Sequence, residues 1–253
     1  MKYYSWVISN MYGYLFGFKF LVPIHHQIVN LSLHAIGYDN SYMKSWTGEE
    51  SFVRYLVSKH NIMVCLDVGA NIGNYTKILL KNNVGHIYAI EPTKSSFECL
   101  NNVDSTRVTK IRAAISDYYG EATIYSDGDR DEKASLDRNV RDAAGEPVSV
   151  MRVSDIVSAY SIQQIDFIKI DTEGYEFEVI KGFGDSRPKF IQFEFNIYHL
   201  YRKYTLLDIT LLLPRYRFYR LLPHDIVKIN PKKYINNIFM FSNIVAVRDD
   251  ILI

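Results

Sequence analysis

Short apolar runs punctuate the middle of the chain: Val64 to Val68, closed by Gly69, then His86 to Ile90, Val108 to Ile115, Phe167 to Ile170 and Phe190 to Phe195. Their hydrophobicity is continuous rather than alternating, which predicts strands covered on both faces. Helical spacing fills the gaps. Asn74 to Lys81 places Tyr75, Ile78 and Leu79 on one side, with Asn71 or Asn74 available as a cap, and Ser95 to Asn101 plays the same part after the second strand. Glu173 to Lys181 opens with acidic residues and stops at Gly182, matching helix start and stop signals. This rhythm predicts an α/β domain with right-handed crossovers and a doubly wound sheet.

The pattern then changes. Leu206 to Leu213 reads as a helix, and Tyr216 to Leu222 and Phe239 to Val247 read as strands. No long amphipathic helix separates the two strands, so they are expected to pair antiparallel and complete a mixed seven-stranded sheet with helices on both faces. Ser126 to Pro147 is half charged and cannot form core; it is expected to be a solvated loop, and residues 126–147 are a candidate lid with Ser135 as a cofactor or acceptor contact. Near the N-terminus, Tyr12 to Leu33 is aromatic and aliphatic but interrupted by Lys19, Pro23, His25, His26 and Asn30. It fits neither a spanning helix nor a signal peptide. A helical pair packed on the domain is expected, with peripheral membrane contact or a substrate-facing cap as the functional alternative. Residues 1–50 thus form an extension and residues 51–253 the main domain.

Composition narrows the setting. A chain of 253 residues with 48% hydrophobic content suits one large domain, and a net charge of +1 offers no broad basic field for a nucleic-acid backbone. Nucleic acid is therefore not expected as a partner. Two cysteines, Cys65 and Cys99, make no disulfide framework or zinc site, which suits a reducing cytoplasm; any peripheral contact would be with the inner face of its membrane. Self-association stays open.

The candidate chemistry begins at Asp67-Val68-Gly69-Ala70-Asn71-Ile72-Gly73. A glycine at the end of the first strand lets the backbone turn sharply and approach a ligand, and the following helix presents its N-terminus. A dinucleotide fingerprint starting at Gly69 would need glycine where Asn71 and Asn74 stand, which disfavours a pyrophosphate and a nicotinamide oxidoreductase. Asp67 would repel a pyrophosphate but attract an ammonium. Glu91, ending the second strand before Pro92, has two acceptor oxygens suited to ribose hydroxyls.

With these residues in order, the sequence resembles the FkbM family of S-adenosylmethionine-dependent methyltransferases. The resemblance runs from about Gly48 to Asn196 and rests on D-V-G-A-N-I-G-N-Y-T (Asp67 to Thr76), A-I-E-P (Ala89 to Pro92), A-A-I-S-D (Ala113 to Asp117) and I-K-I-D-T-E-G-Y-E (Ile168 to Glu176). Gly37 to Asn40 and Thr47 to Glu49 look like the lead-in found in many members. The family's threonine-leucine-aspartate before the fourth strand stands here as Val153-Ser154-Asp155, a departure at that helix cap. The resemblance implies a Rossmann-like class I methyltransferase fold with S-adenosyl-L-methionine as cofactor and S-adenosyl-L-homocysteine as product. It implies Asp67, Gly69, Asn71, Gly73 and Asn74 around the methionine part, Glu91 and Pro92 at the ribose, and Ala114 and Ser116 near the adenine.

Methyl transfer from a sulfonium is an in-line displacement, so positioning supplies much of the catalysis and a base supplies a second part. Asp171 ends the fourth strand, where open α/β sheets place ligands, and can hold the cofactor's amino group, hold substrate or act as base. Glu194, Asn196, Tyr198 and His199 follow the fifth strand on the same side, the expected acceptor side. His199 has the pKa range of a base, with a structural hydrogen-bond donor beside aromatic residues as the alternative, and Glu173 is a further substrate candidate. Magnesium held by Asp171, Glu173 and Glu194 is the mechanistic competitor; metal independence is expected. No Asn-Pro-Pro-aromatic motif for methylating exocyclic amines occurs, which favours oxygen as acceptor. The resemblance implies a hydroxyl on a sugar, glycan or glycoconjugate, with a small-molecule or polyketide O-methyltransferase, or a noncatalytic cofactor-binding subunit, as alternatives.

Overall fold

The computed structural model describes residues 2–40, 46–125 and 145–253. Strands β1 (Val64–Val68), β2 (His86–Ile90) and β3 (Val108–Ile111) alternate with α4 (Asn74–Lys81) and α5 (Lys94–Leu100). β7 (Phe167–Ile170) and β8 (Phe190–Phe195) complete the five parallel strands, with α7 (Glu176–Lys181) between them. β11 (Ser242–Arg248) pairs antiparallel with β8, and β9 (Tyr216–Leu221) antiparallel with β11. The seven expected strands are thus present in one sheet, and a short eighth, β10 (Ile226–Lys228), extends its edge, giving the order β10-β9-β11-β8-β7-β1-β2-β3. β10 falls within residues 223–238, which the sequence pattern left without a strand; a tight return after Leu221 lets it pair with Tyr219 to Leu221.

Two apolar layers cover the sheet. On one face, α3 (Glu49–His60), α4 and α5 bury Phe52, Leu56, Leu79 and Leu100 against Cys65, Phe167 and Phe190. On the other, α6 (Val153–Ala159), α7 and α9 (Leu206–Leu211) bury Ile156, Val179 and Ile209 against Leu66, Ile168 and Phe193. The strand residues of the two clusters alternate in sequence, as a pleated sheet requires. The departure at Val153-Ser154-Asp155 leaves α6 capped: Asp155 accepts the Arg152 backbone N–H at 2.8 Å.

Three expectations need correction. The run from Val108 to Ile115 is two strands, because the chain leaves the main sheet after Ile111 and β4 (Ala114–Ile115) joins a second sheet with β5 (Gly120–Tyr125) and β6 (Gly145–Met151). Residues 145–147, expected in the charged loop, open β6 and pair with β5; residues 126–144, Ser135 among them, lie outside the described residues. Lastly, α1 (Lys2–Phe16) and α2 (Val22–Ala35) do form, but the expected packing on the domain does not follow: in α2 only Leu33 is buried, and the apolar side chains described in α1 stay largely exposed.

Candidate active site

The turn after β1 is held by the end of β2. The Gly69 and Ala70 N–H groups both donate to the Ile90 carbonyl at 2.9 Å, and the Asn71 N–H donates to Glu91 Oε2 at 2.9 Å. Gly69 has φ +80°, and a Cβ there would overlap the Asp171 carbonyl oxygen; Gly73 has φ +82°, and a Cβ there would press on Val103 and Leu100. Both positions therefore require glycine. Gly73 caps α4, so neither asparagine fills that role; Asn74 is the first helical residue and is exposed.

Asp67 is buried, and its Oδ2 accepts the Thr76 hydroxyl at 2.6 Å. Its Oδ1 has no protein partner, nor has the buried Oδ1 of Asn71. Burial foremost raises the Asp67 carboxyl to about 6, against the lowering effects of Thr76 and Lys169. Glu91 is buried too, with Oε1 accepting from the Thr93 N–H at 2.9 Å and hydroxyl at 2.7 Å. Pro92 follows it, its carbonyl accepting from Arg112. Two orphaned buried acceptors beside a glycine turn fit a ligand with a cationic amino-acid end, and a buried carboxylate one strand over fits a diol. Ala114 packs in the apolar cluster of the second sheet, and Ser116 is buried with its carbonyl beneath Gly182, so the structure shows both in packing roles.

Next to the turn lies a group that the sequence reading passed over. Lys169, in the middle of β7, is 2% exposed, and its ammonium stands 3.2 Å from Asp171 Oδ2, 3.7 Å from Glu49 Oε1 and 3.9 Å from Glu194 Oε1. It also lies over the Tyr75 ring, 5.6 Å from the centroid. Register explains the gathering. Asp67 pairs with Lys169 and Lys169 with Gln192, while Glu194 pairs with Asn243; positions two apart share a face, so these residues and Asp171 line one face of the sheet where its parallel strands end. Gln192 joins the set to α3, donating to Glu49 at 2.8 Å and accepting from the Tyr75 hydroxyl at 3.1 Å. Burial alone would lower the Lys169 ammonium, but the three carboxylates outweigh it and hold it charged. Glu194 moves the other way: burial first, then Asp171, push its carboxyl well above the usual range. Among the described residues, no group of three or more His, Cys, Asp or Glu side chains is arranged to hold a metal ion.

His199 is not on this surface. Its ring is fully buried, its Nδ1 accepts the Asn196 backbone N–H at 3.3 Å, and its Nε2 stands 2.9 Å from Glu176 Oε2. An imidazole closed off from solvent, with Nδ1 held by the backbone and Nε2 facing Glu176, cannot reach an acceptor's proton, which corrects the expectation that it is the base. Asn196 caps α8 (Ile197–Tyr201), its side chain accepting from the Tyr198 N–H at 3.0 Å. Glu173 is also displaced: it precedes α7 in the left-handed region, φ +53°, and Glu176 instead accepts from the Thr172 N–H at 2.9 Å. Gly174 brings this loop against Tyr198.

An open α/β sheet with a glycine turn, a buried acid at the end of β1 and another at the end of β2 is an arrangement that suits a nucleoside-type ligand at the carboxyl ends of the strands. The family model described as "Methyltransferase FkbM domain" matches residues 67–221, more than half of the chain, and the chain belongs to this family of methyltransferases. S-adenosylmethionine is the cofactor that membership assigns. Methyltransferase 1 of Beauveria bassiana (strain ARSEF 2860) is 25% identical over 144 residues, 47% of this chain and 58% of that protein, so the match spans little more than half the relative's length. Similar solved structures include the O-methyltransferase from Bacillus cereus in complex with SAH, 14% identical with a TM-score of 0.43 over 88% of this chain and 89% of that one. Precorrin-6y C5,15-methyltransferase from Geobacter metallireducens GS-15 is 11% identical, TM-score 0.43, over 79% and 87%.

Proposed function

We propose that the protein methylates a hydroxyl of a sugar, glycan or glycoconjugate, with Glu194 receiving the proton. The observation that carries this reading is the cluster of Glu49, Asp171 and Glu194 around the buried Lys169 ammonium, on the same sheet face as Asp67. The cofactor supplies an electrophilic methyl group. Asp67, Gly69, Asn71 and Gly73 would hold its methionine part and Glu91 its ribose, with Asp171 next to the amino-acid end.

Carboxylates and amides are strong partners for hydroxyls. Glu194 combines partial exposure with a raised pKa, which makes it a better proton acceptor near neutral pH than an ordinary carboxylate. Lys169 fixes Asp171 by a hydrogen bond and offsets part of the negative charge. The remaining acidity repels phosphate, so a phosphate carried by the acceptor must lie outside the cluster.

The test is methyl transfer from labelled S-adenosylmethionine to panels of free sugars, sugar nucleotides, lipid-linked saccharides and polyketide alcohols. Transfer to a saccharide, reduced about 10²- to 10⁴-fold by Glu194→Gln with cofactor affinity unchanged, is the expected outcome. Transfer only to nonsugar alcohols would overturn the acceptor class. Full activity of Glu194→Gln would remove that residue from proton transfer.

A further inference from the structure

The first 38 residues contain no aspartate or glutamate; their charged side chains are Lys2 and Lys19, with His25, His26 and His34 beside them. Within this stretch, α1 and α2 carry apolar and aromatic side chains that the rest of the described structure leaves uncovered. Trp6, Ile8, Met11, Tyr14 and Leu15 are exposed on α1, Phe20 at the bend, and Ile24, Ile28 and Leu31 on α2, with Tyr14 88% and Phe20 74% accessible. A helix that docks on a protein presents one apolar stripe; Ile24, Ile28 and Leu31 share one side of α2, but the exposed Val22 and Val29 lie on the opposite side, and on α1 Trp6 lies away from Ile8, Met11, Tyr14 and Leu15, a distribution that a surrounding apolar solvent satisfies.

Length sets how deep such a pair can go. No single helix among the described residues is long and apolar enough to cross a membrane, although the segments Trp6–Phe16 and Lys19–Ala35 reach that composition together, bent by 105°. Helices of 15 and 14 residues are about 22 and 21 Å long, short of a hydrocarbon core of about 30 Å. An L-shaped pair of this size enters one leaflet. Lys19, at the bend, has a stem long enough to return its ammonium to the headgroups, and tryptophan and tyrosine favour the same boundary.

The attachment point adds a direction. After α2, the Asp39 N–H donates to the Phe241 carbonyl, just before β11, and the Arg220 guanidinium stacks on Tyr38 at 3.8 Å while bonding Asn236. These contacts fix the pair to the end of the sheet that carries Glu194, because Ser242 pairs with Phe195.

We propose that α1 and α2 seat the protein on an anionic lipid bilayer, inserted in one leaflet, with the ligand end of the sheet turned toward the membrane surface. This holds independently of the acceptor class. The absence of acidic side chains removes repulsion from anionic headgroups, and the two lysines add attraction.

Full-length protein is floated with phosphatidylcholine vesicles containing 30% phosphatidylserine, and its mass in solution is measured without lipid. The expected result is a monomer that rises with the vesicles. The fourfold substitution Trp6→Glu, Leu15→Glu, Phe20→Glu and Leu31→Glu should cut the bound fraction at least tenfold; all four sites are exposed, and unchanged S-adenosylmethionine binding by calorimetry reports that the domain remains folded. Parent protein that stays in the lipid-free fraction overturns the proposal, as does a fourfold variant that floats equally well. A parent dimer that the variant turns into monomer, without vesicle binding, assigns the surface to a second copy of the chain instead.

Discussion

Asp67 costs the folded protein stability in return for its place beside the glycine turn. Its carboxyl lies at about 6 in the native state against an ordinary 3.8, chiefly through burial. An acid whose native pKa is raised keeps its proton longer when folded than when unfolded, so stability falls as pH rises between about 4 and 6 and stays reduced above. The displacement, at about 1.4 kcal/mol per pH unit, corresponds to on the order of 3 kcal/mol at pH 8 and about half that at pH 5. Asp67→Asn keeps the shape and an acceptor for the Thr76 hydroxyl while removing the charge. The ligand-free variant should therefore melt roughly 6–12 °C above the parent at pH 8, with the gain roughly halved at pH 5. It should also lose about 10- to 100-fold in S-adenosylmethionine affinity, the cost of a missing charged hydrogen bond. Thermal melts at both pH values and calorimetric titration measure this. A variant no more stable than the parent at pH 8, or equally stabilised at both, would refute the assignment of that burden to the buried charge.

Three further outcomes follow from the same geometry. Lys169→Met leaves Glu49, Asp171 and Glu194 without their shared cation and should lower stability by about 3–5 kcal/mol in urea titration; a loss below 1 kcal/mol would mean that water or proton uptake replaces the lysine. His199→Gln should destabilise the fold through the broken contact with Glu176, and single-turnover rates under conditions where it stays folded should match the parent; a rate drop of 10²-fold or more would restore the ring to the chemistry. Gly69→Ala should abolish cofactor binding, because its Cβ has no room beside the Asp171 carbonyl, and binding within threefold of the parent by calorimetry would contradict the crowding.

The parallel strands and the turn at Asp67 to Gly73 were legible because doubly covered strands are apolar throughout and a glycine turn is local. The face that Lys169 shares with Glu194 was written differently. In Phe167-Ile168-Lys169-Ile170-Asp171 and Phe190-Ile191-Gln192-Phe193-Glu194 the polar residues fall two apart, a period-two signal masked by the apolar residues between them. Alternation would have placed Lys169 and Asp171 on one face, but Glu49 joins them from a helix more than a hundred residues earlier, which no local pattern encodes. β5 and β6 were missed for another reason: strands of a small three-stranded sheet with one face toward water are mostly polar, and the charged stretch between them drew β6's first residues into an expected loop. For α1 and α2, apolar spacing announces that a helix seeks cover without saying what supplies it.

The short strand β10 has a consequence for how copies of the protein behave together. Without it, β9 would end the sheet as six residues of largely aromatic and apolar edge, with unpaired amide and carbonyl groups able to recruit another strand. β10 occupies Tyr219 to Leu221, the Ile229 N–H caps the Phe218 carbonyl, and the new edge is three residues long and closes on exposed Lys228. A template for aggregation is thereby replaced by one too brief and too charged to propagate.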